Sequence, residues 1–256
     1  MSDAPTTPSA PPGGRGLAWK QLLRLGNVFT AASNVIAGFL ITHGRWEPAT
    51  ALAALVGSSM LMYAAGMALN DAFDAPLDAR ERPERPIPSG RISRRSAFAV
   101  GWGLLGLGIA LAAQGGAIAR QPGPLFAGCC LALTIVMYDA GLKSTWAGPA
   151  AMGWCRALNV LLGASASPLV NESWTPWIYA AGVGGYTVIL TLLARSEVSE
   201  NPAQAMQVRR LVTAMIKGFI VIDAVAATFA AGWLSGLAVL LLLIPTTLYA
   251  RRAPMT

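Results

Sequence analysis

The sequence predicts an all-α protein, a polytopic membrane helix bundle of about eight transmembrane helices, and three observations carry that prediction. Of its 256 residues 54% are hydrophobic and only 12% are charged, against roughly 25% charged in an ordinary soluble domain. The apolar residues are gathered into long stretches, each approaching the roughly 20 residues needed to span hydrocarbon. Leu237–Leu243 is apolar at every position, and Ala97–Ala113 is interrupted only by glycines and Trp102. Third, the basic residues segregate. With a cytoplasmic N-terminus and alternating loops, all of the 19 Lys and Arg except Arg45, Arg120 and Arg156 fall on the cytoplasmic side or its loops, as the positive-inside rule requires. An even number of spans and two cytoplasmic ends in a cell (inner) membrane follow. The net charge of +7 is thereby accounted for without a nucleic-acid partner.

The eight helices are expected at about Leu17–Thr42, Pro48–Leu69, Ser96–Gln114, Pro124–Gly141, Ala147–Ser165, Trp174–Ala194, Val208–Ala231 and Trp233–Tyr249. Gly and Pro stand at most of the joints, as turns between spans demand. Residues 1–16 hold no large apolar residue, and lack the basic start and apolar core of a signal peptide. They read as a disordered cytosolic tail, which leaves 17–252 as one transmembrane domain. Cys129, Cys130 and Cys155 all fall within predicted helices and suit packing better than a disulfide framework. An internal echo links Arg24–Ser33 (RLGNVFTAAS) to Arg156–Ser165 (RALNVLLGAS), with five of ten positions identical. Each copy opens a four-helix half, which is consistent with a 4+4 repeat.

The composition changes abruptly after the second helix, at Asn70-Asp71-Ala72-Phe73-Asp74-Ala75-Pro76-Leu77-Asp78. Asp71, Asp74 and Asp78 stand at i, i+3 and i+7, which places them on one face if the helix continues. Pro76 cannot donate to the carbonyl of Ala72 and is expected to kink or end that helix, bringing Asp78 in from a turn. The basic run from Arg80 to Arg91 follows at once. Clustered carboxylates repel unless a cation joins them. Mg²⁺ suits oxygen ligands and takes one or two carboxylates plus substrate phosphates, while arginine forks grip the remaining phosphate oxygens. A metal–diphosphate site therefore fits these residues. So does an ordinary solvated loop, and the chemistry alone does not separate the two.

The pattern Asn70-Asp71-x-x-Asp74-x-x-x-Asp78, followed by Arg85-Pro86-Ile87-Pro88-Ser89-Gly90-Arg91, resembles the first signature of the UbiA superfamily of intramembrane prenyltransferases. The resemblance implies the UbiA fold, with Asn70, Asp71, Asp74 and Asp78 holding Mg²⁺ against an isoprenoid diphosphate. It makes Arg85 and Arg91 diphosphate contacts. Tyr138-Asp139-Ala-Gly-Leu-Lys143 resembles the family's Tyr-x-x-x-Leu-Lys element, which implies diphosphate binding by Lys143 and a place near the reacting carbon for Tyr138. Arg24 and Asn34 fit the family's first-helix pattern.

The chain also departs from that pattern. Where the family carries a second aspartate motif, this chain has Arg195-Ser-Glu197-Val-Ser-Glu200-Asn201, so Glu197 is the candidate second metal ligand. Arg156 and Asn159 lie inside a span. An arginine there costs about 2.5–3.5 kcal/mol on insertion scales, so it is expected to face a cavity or a partner. Arg156 is accordingly placed in the central cavity, near the diphosphate or paired with Glu197 or Glu200. Asp223 takes the same cavity-facing default. With eight spans rather than nine, these features resemble a divergent branch, the EboC-like proteins. Two function classes fit. One is Mg²⁺-dependent prenyl transfer from an isoprenoid diphosphate, drawn from membrane lipid, to an unidentified acceptor. The other is a non-enzymatic carrier of a lipid-linked or diphosphate metabolite.

Overall fold

The computed structural model describes residues 14–195 and 202–252, and every regular element among them is helical. The α-helices are α1 (Arg15–Leu22), α2 (Val28–His43), α3 (Ala49–Glu81), α4 (Arg94–Ala119), α5 (Gly123–Ala140), α6 (Gly148–Ala164), α7 (Thr175–Arg195), α8 (Pro202–Ala231), α9 (Trp233–Leu240) and α10 (Leu243–Arg252). Short 3-10 turns lie at Leu142–Ser144 and Pro168–Asn171. Of these helices, α3, α4, α5, α7 and α8 are long and apolar enough to cross a membrane, while α2 and the α9–α10 stretch are shorter and apolar.

The outer surface agrees with hydrocarbon surroundings. Phe229 is 88% exposed, Ile189 62% and Leu107 59%, a burden that would drive aggregation in water. The chain is a multi-pass membrane protein. Trp146, Trp174 and Trp233, all strongly exposed, stand at helix ends, where aromatic rings anchor a span at the membrane–water interface.

The structure departs from the expected elements in three places. The first predicted helix is two, broken over residues 23–27 by Gly26 and Asn27, with Arg24 in the left-handed region at φ 46°. The eighth is also two, α9 and α10. Pro245 has no N–H for the Leu241 carbonyl, and the chain restarts so that this proline falls in the first turn of α10, where prolines are tolerated. The second runs much further than Leu69, straight through Pro76 to Glu81. The carbonyl that Pro76 leaves without a donor is that of Ala72, and Arg94 Nε supplies the missing hydrogen bond at 2.8 Å. All three aspartates of the motif therefore ride on one continuous helix. At about 1.5 Å per residue α3 is roughly 50 Å long, so its acidic end overruns a hydrocarbon core of about 30 Å.

Behind that end, Ile87 and Ile92 of the α3–α4 connection pack with Ala68, Ala72 and Ala75 of α3 and with Ala18 and Leu22 of α1. This apolar seat fixes the connection, and with it Arg85. At the centre of the bundle α2 and α6 cross at very close range. A Cβ on Gly38 would overlap the Val160 carbonyl, and one on Gly163 the Val35 carbonyl, so small residues let the two backbones touch. Thr30 meets Arg156, Ala31 meets Asn159 and Thr42 meets Ala164, so the two helices run in the same direction.

Candidate functional site

A cavity of about 470 Å³ opens between α3, α5 and α6. One stripe of α3 lines it from end to end: Ser59, Tyr63, Met67, Asn70, Asp74 and Asp78. That spacing of three and four residues keeps one face turned inward. The mouth is charged, the middle is apolar with Leu131 and Ile135 of α5 and Met152 of α6, and the inner end is polar again at Arg156 and Asn159. Ser59 Oγ donates to Asn159 Oδ1 at 2.7 Å. Ser59 lies eleven residues below Asn70, so the inner polar end is about 16 Å deeper than the mouth.

At the mouth each aspartate of α3 meets a cation. Lys143, on the 3-10 turn after α5, sets its Nζ 2.7 Å from Asp74 Oδ1 and 3.0 Å from Asn70 Oδ1. Arg85 places Nη1 2.7 Å from Asp78 Oδ2 and 3.7 Å from Asp71 Oδ1. Arg24 Nη2 stands 3.3 Å from Asp71 Oδ1. Its left-handed backbone costs about 1–2 kcal/mol, and this ion pair is what that conformation delivers. Asp71 itself is 5% exposed and does not line the cavity. The sequence placed it with Asp74 and Asp78 as a metal ligand; in the structure it stands beside Asp78 at the edge of the lining stripe, where its carboxylate meets Arg24 and Arg85.

Other candidates divide in the same way. Tyr138, Arg85, Arg156 and Asn159 line the cavity. Arg91 does not. Its Nε donates to Ser89 Oγ at 3.0 Å, its Nη1 to Gln21 Oε1 at 3.0 Å and its Nη2 to the Glu84 carbonyl at 2.7 Å, so it braces the α3–α4 connection against α1. Asn34 is fully buried away from the cavity. Glu197 and Glu200 lie outside the described residues, and the described partners of Arg156 are different ones. Its Nη1 donates to the Thr30 carbonyl at 3.1 Å and to Asn34 Oδ1 at 2.9 Å, and its Nη2 to Thr30 Oγ1 at 3.0 Å. The guanidinium also sits 4.5 Å over the Phe219 ring, a cation–π contact.

Asp223 does not face the cavity either, contrary to the expectation for an acid within a span. It is fully buried between α2, α7 and α8. Ser33 Oγ donates to its Oδ2 at 2.5 Å, Tyr179 Oη to its Oδ1 at 2.5 Å, and Asn34 Nδ2 to both oxygens at 3.0 and 2.8 Å. Asn34 thus joins a cation to an anion, its carbonyl toward Arg156 and its amide toward Asp223. Local donors satisfy this acid, so it has no need of the cavity.

Mg²⁺ can be tested against these groups. Among the described residues no three acidic, His or Cys side chains converge as a metal cage. Mg²⁺ does not require one, since it uses one or two carboxylates with substrate phosphates, and Asn70, Asp74 and Asp78 present oxygen donors to one open cavity. A further sign comes from Asp139, which sequence reasoning passed over. It lines the same cavity from α5, is only 4% exposed, and its Oδ2 reaches no hydrogen-bond partner. A buried acceptor left in that state costs about 1–3 kcal/mol or more, which a bound cation removes. The donor set fits the metal.

Known proteins share this architecture. A UbiA homologue from Archaeoglobus fulgidus, solved with GPP and Mg²⁺, superposes over 91% of this chain and 86% of its own with a TM-score of 0.57 and 16% identity, a likeness of fold. Sequence relatives named digeranylgeranylglyceryl phosphate synthase include one from Methanopyrus kandleri, 45% identical over 36% of this chain and 34% of the relative. Another, from Methanoregula boonei, is 37% identical over 56% of this chain and 49% of the relative. The chain thus spans between a third and a half of these two relatives' lengths. A family model covers far more of it: residues 31–253 match the UbiA prenyltransferase family, and the chain belongs to that family.

Proposed function

We propose that this protein transfers a prenyl group from an isoprenoid diphosphate to an acceptor within the membrane, in a Mg²⁺-dependent reaction. One observation carries the reading: a single cavity has carboxylates and cations at its mouth and an apolar bore behind them. A diphosphate with a long hydrocarbon tail has that same division. The solved homologue holds GPP and Mg²⁺, and the sequence relatives carry the name of an enzyme whose product bears prenyl chains and a phosphate.

Asn70, Asp74 and Asp78 are the residues that would hold Mg²⁺. When bound, the ion supplies Lewis-acid neutralisation of the departing diphosphate. Lys143 and Arg85 exchange Asp74 and Asp78 for phosphate oxygens, while Asp71 keeps Arg85 and Arg24 aimed. The C1–O bond of the allylic diphosphate then breaks, with its electron pair leaving on the diphosphate. Preorganised cations stabilise that developing charge more than they stabilise the bound substrate. Tyr138, Leu131 and Ile135 keep water from the allylic cation until the acceptor's nucleophilic atom bonds to C1 and gives up its proton. The isoprenoid enters sideways from the bilayer. The mouth, with most of the chain's basic residues, faces the cytoplasm of a cell whose inner membrane holds the protein, and both chain ends lie on that side.

The test uses the protein in lipid nanodiscs with radiolabelled geranylgeranyl diphosphate and a lipid extract as acceptor source, following label in prenylated product and released pyrophosphate. EDTA is expected to abolish both signals and Mg²⁺ to restore them. Asp74→Asn and Lys143→Met are expected to lower turnover by about 10²–10³-fold, as removal of one preorganised charge does. Undiminished transfer by Asp74→Asn would sink the reading. Binding without bond cleavage, joined to movement of the label across the bilayer, would replace it with the carrier.

A further inference from the structure

Asp139 ends α5 on the wall of the cavity that faces α3. It is 4% exposed, and its Oδ2 has no partner. Buried carboxylates in folded proteins are paired or coordinate a cation, so this oxygen is set up for a group that arrives later. The charged groups acting on it are Lys143, Asp74, Arg24 and Asp71, in that order. Lys143 follows one turn after it, and its ammonium is already engaged with Asp74 and Asn70 across the cavity. Arg24 is engaged with Asp71. Asp74 holds the Lys143 ammonium, and Asp139, which makes no ion pair with it, is left with an unsatisfied oxygen. A cation supplies the partner that an ionised oxygen in this place lacks.

We propose that Asp139 is a further oxygen ligand of the divalent cation that accompanies the isoprenoid diphosphate, supplied by α5 opposite Asn70 and Asp74 on α3. The proposal rests on the function proposed above. It gives the cavity carboxylates on two facing walls, as a cation held between protein and diphosphate needs. It also bears on the segment after α7, where residues 195–201 hold Glu197 and Glu200 but no aspartate: α5 adds an aspartate to the acids those glutamates offer.

Metal affinity is the readout, independent of turnover. The full chain in nanodiscs is titrated with Mn²⁺, followed by its EPR signal, in the presence of geranyl S-thiolodiphosphate, which resists ionisation. Asp139→Asn is expected to weaken Mn²⁺ binding by about 10–100-fold, the range for losing a group that orients or binds a metal. Its metal-free thermal midpoint is expected to hold or rise, because an unsatisfied buried charge has gone. Asp139→Ala is the second variant should the amide misfold, judged by the same criterion. If Asp139→Asn or Asp139→Ala binds Mn²⁺ within about twofold of wild type while Asp74→Asn loses it, Asp139 is no ligand and the function stands. If the wild type itself shows no Mn²⁺ bound with the analogue, the proposal and the function fall together.

Discussion

Replacing Asp223 by leucine removes the acceptor for three side chains that converge from α2 and α7. Ser33 Oγ keeps a second acceptor, the Thr30 carbonyl at 3.1 Å, so it loses little. Asn34 Nδ2 is stranded in a fully buried site and Tyr179 Oη in a half-buried one. Hydrogen bonds between membrane helices average about 0.6 kcal/mol and reach about 1.7, whereas a stranded buried donor costs about 1–3 kcal/mol. Two such donors put the loss at about 2–4 kcal/mol. For a chain of this size each kcal/mol moves the midpoint by about 2–4 °C, so Tm should fall by about 5–15 °C. The assay is thermal unfolding in detergent followed by tryptophan fluorescence, with Ser33→Ala as the mild control, expected to shift Tm by less than about 4 °C. An Asp223→Leu protein melting within about 2 °C of wild type would refute the reasoning, because the cluster would then contribute nothing to holding α2, α7 and α8 together.

Two further outcomes follow from backbone geometry. Arg94→Ala strands the Ala72 carbonyl and should lower Tm by about 3–6 °C, from about 1–2 kcal/mol; adding Pro76→Ala restores an internal donor, so a double variant no more stable than Arg94→Ala would disprove the account. Gly163→Ala forces α2 and α6 apart at the Val35 carbonyl and should cost about 2–3 kcal/mol of overpacking, while Gly103→Ala, with nothing near its Cβ position, should be neutral in the same melting assay.

Much of this was legible in the chain, and what was not has a common cause. Long apolar stretches are local, so the helices showed themselves at nearly their observed places. The acidic cluster from Asn70 to Asp78 was legible too, because its members are neighbours in the chain, but their shared helix was not, since Asp78 was expected from a turn beyond Pro76. Partners distant in sequence were invisible. Pro76 reads as a stop until Arg94 is seen to take its carbonyl from 22 residues beyond Ala72. Asp223 looks like a cavity acid until Asn34 arrives from 189 positions earlier. Arg156 and Asn34 were both singled out, but their bond to each other, across two helices, has no local trace. The break at Arg24 hid inside an apolar run with only Gly26 and Asn27 to signal it. Asp139 was quoted as one letter of a motif, and only its burial and idle oxygen mark it out. A lone acid in the last turn of an apolar helix is the sole advance hint.

The pairing at the mouth has a consequence for selectivity. At rest, Lys143, Arg85 and Arg24 already have carboxylates in hand, so an anion reaching them must evict a tenant. A bare phosphate or an anionic headgroup that did so would leave Asp74 or Asp78 stripped of its counterion in a half-dry cleft, and that loss opposes its binding. Only a guest that brings its own positive charge can satisfy the basic side chains and the abandoned acids in the same move. In the proposed reaction the standing ion pairs would act as a filter, turning away the abundant anions of the membrane surface in favour of one escorted by metal.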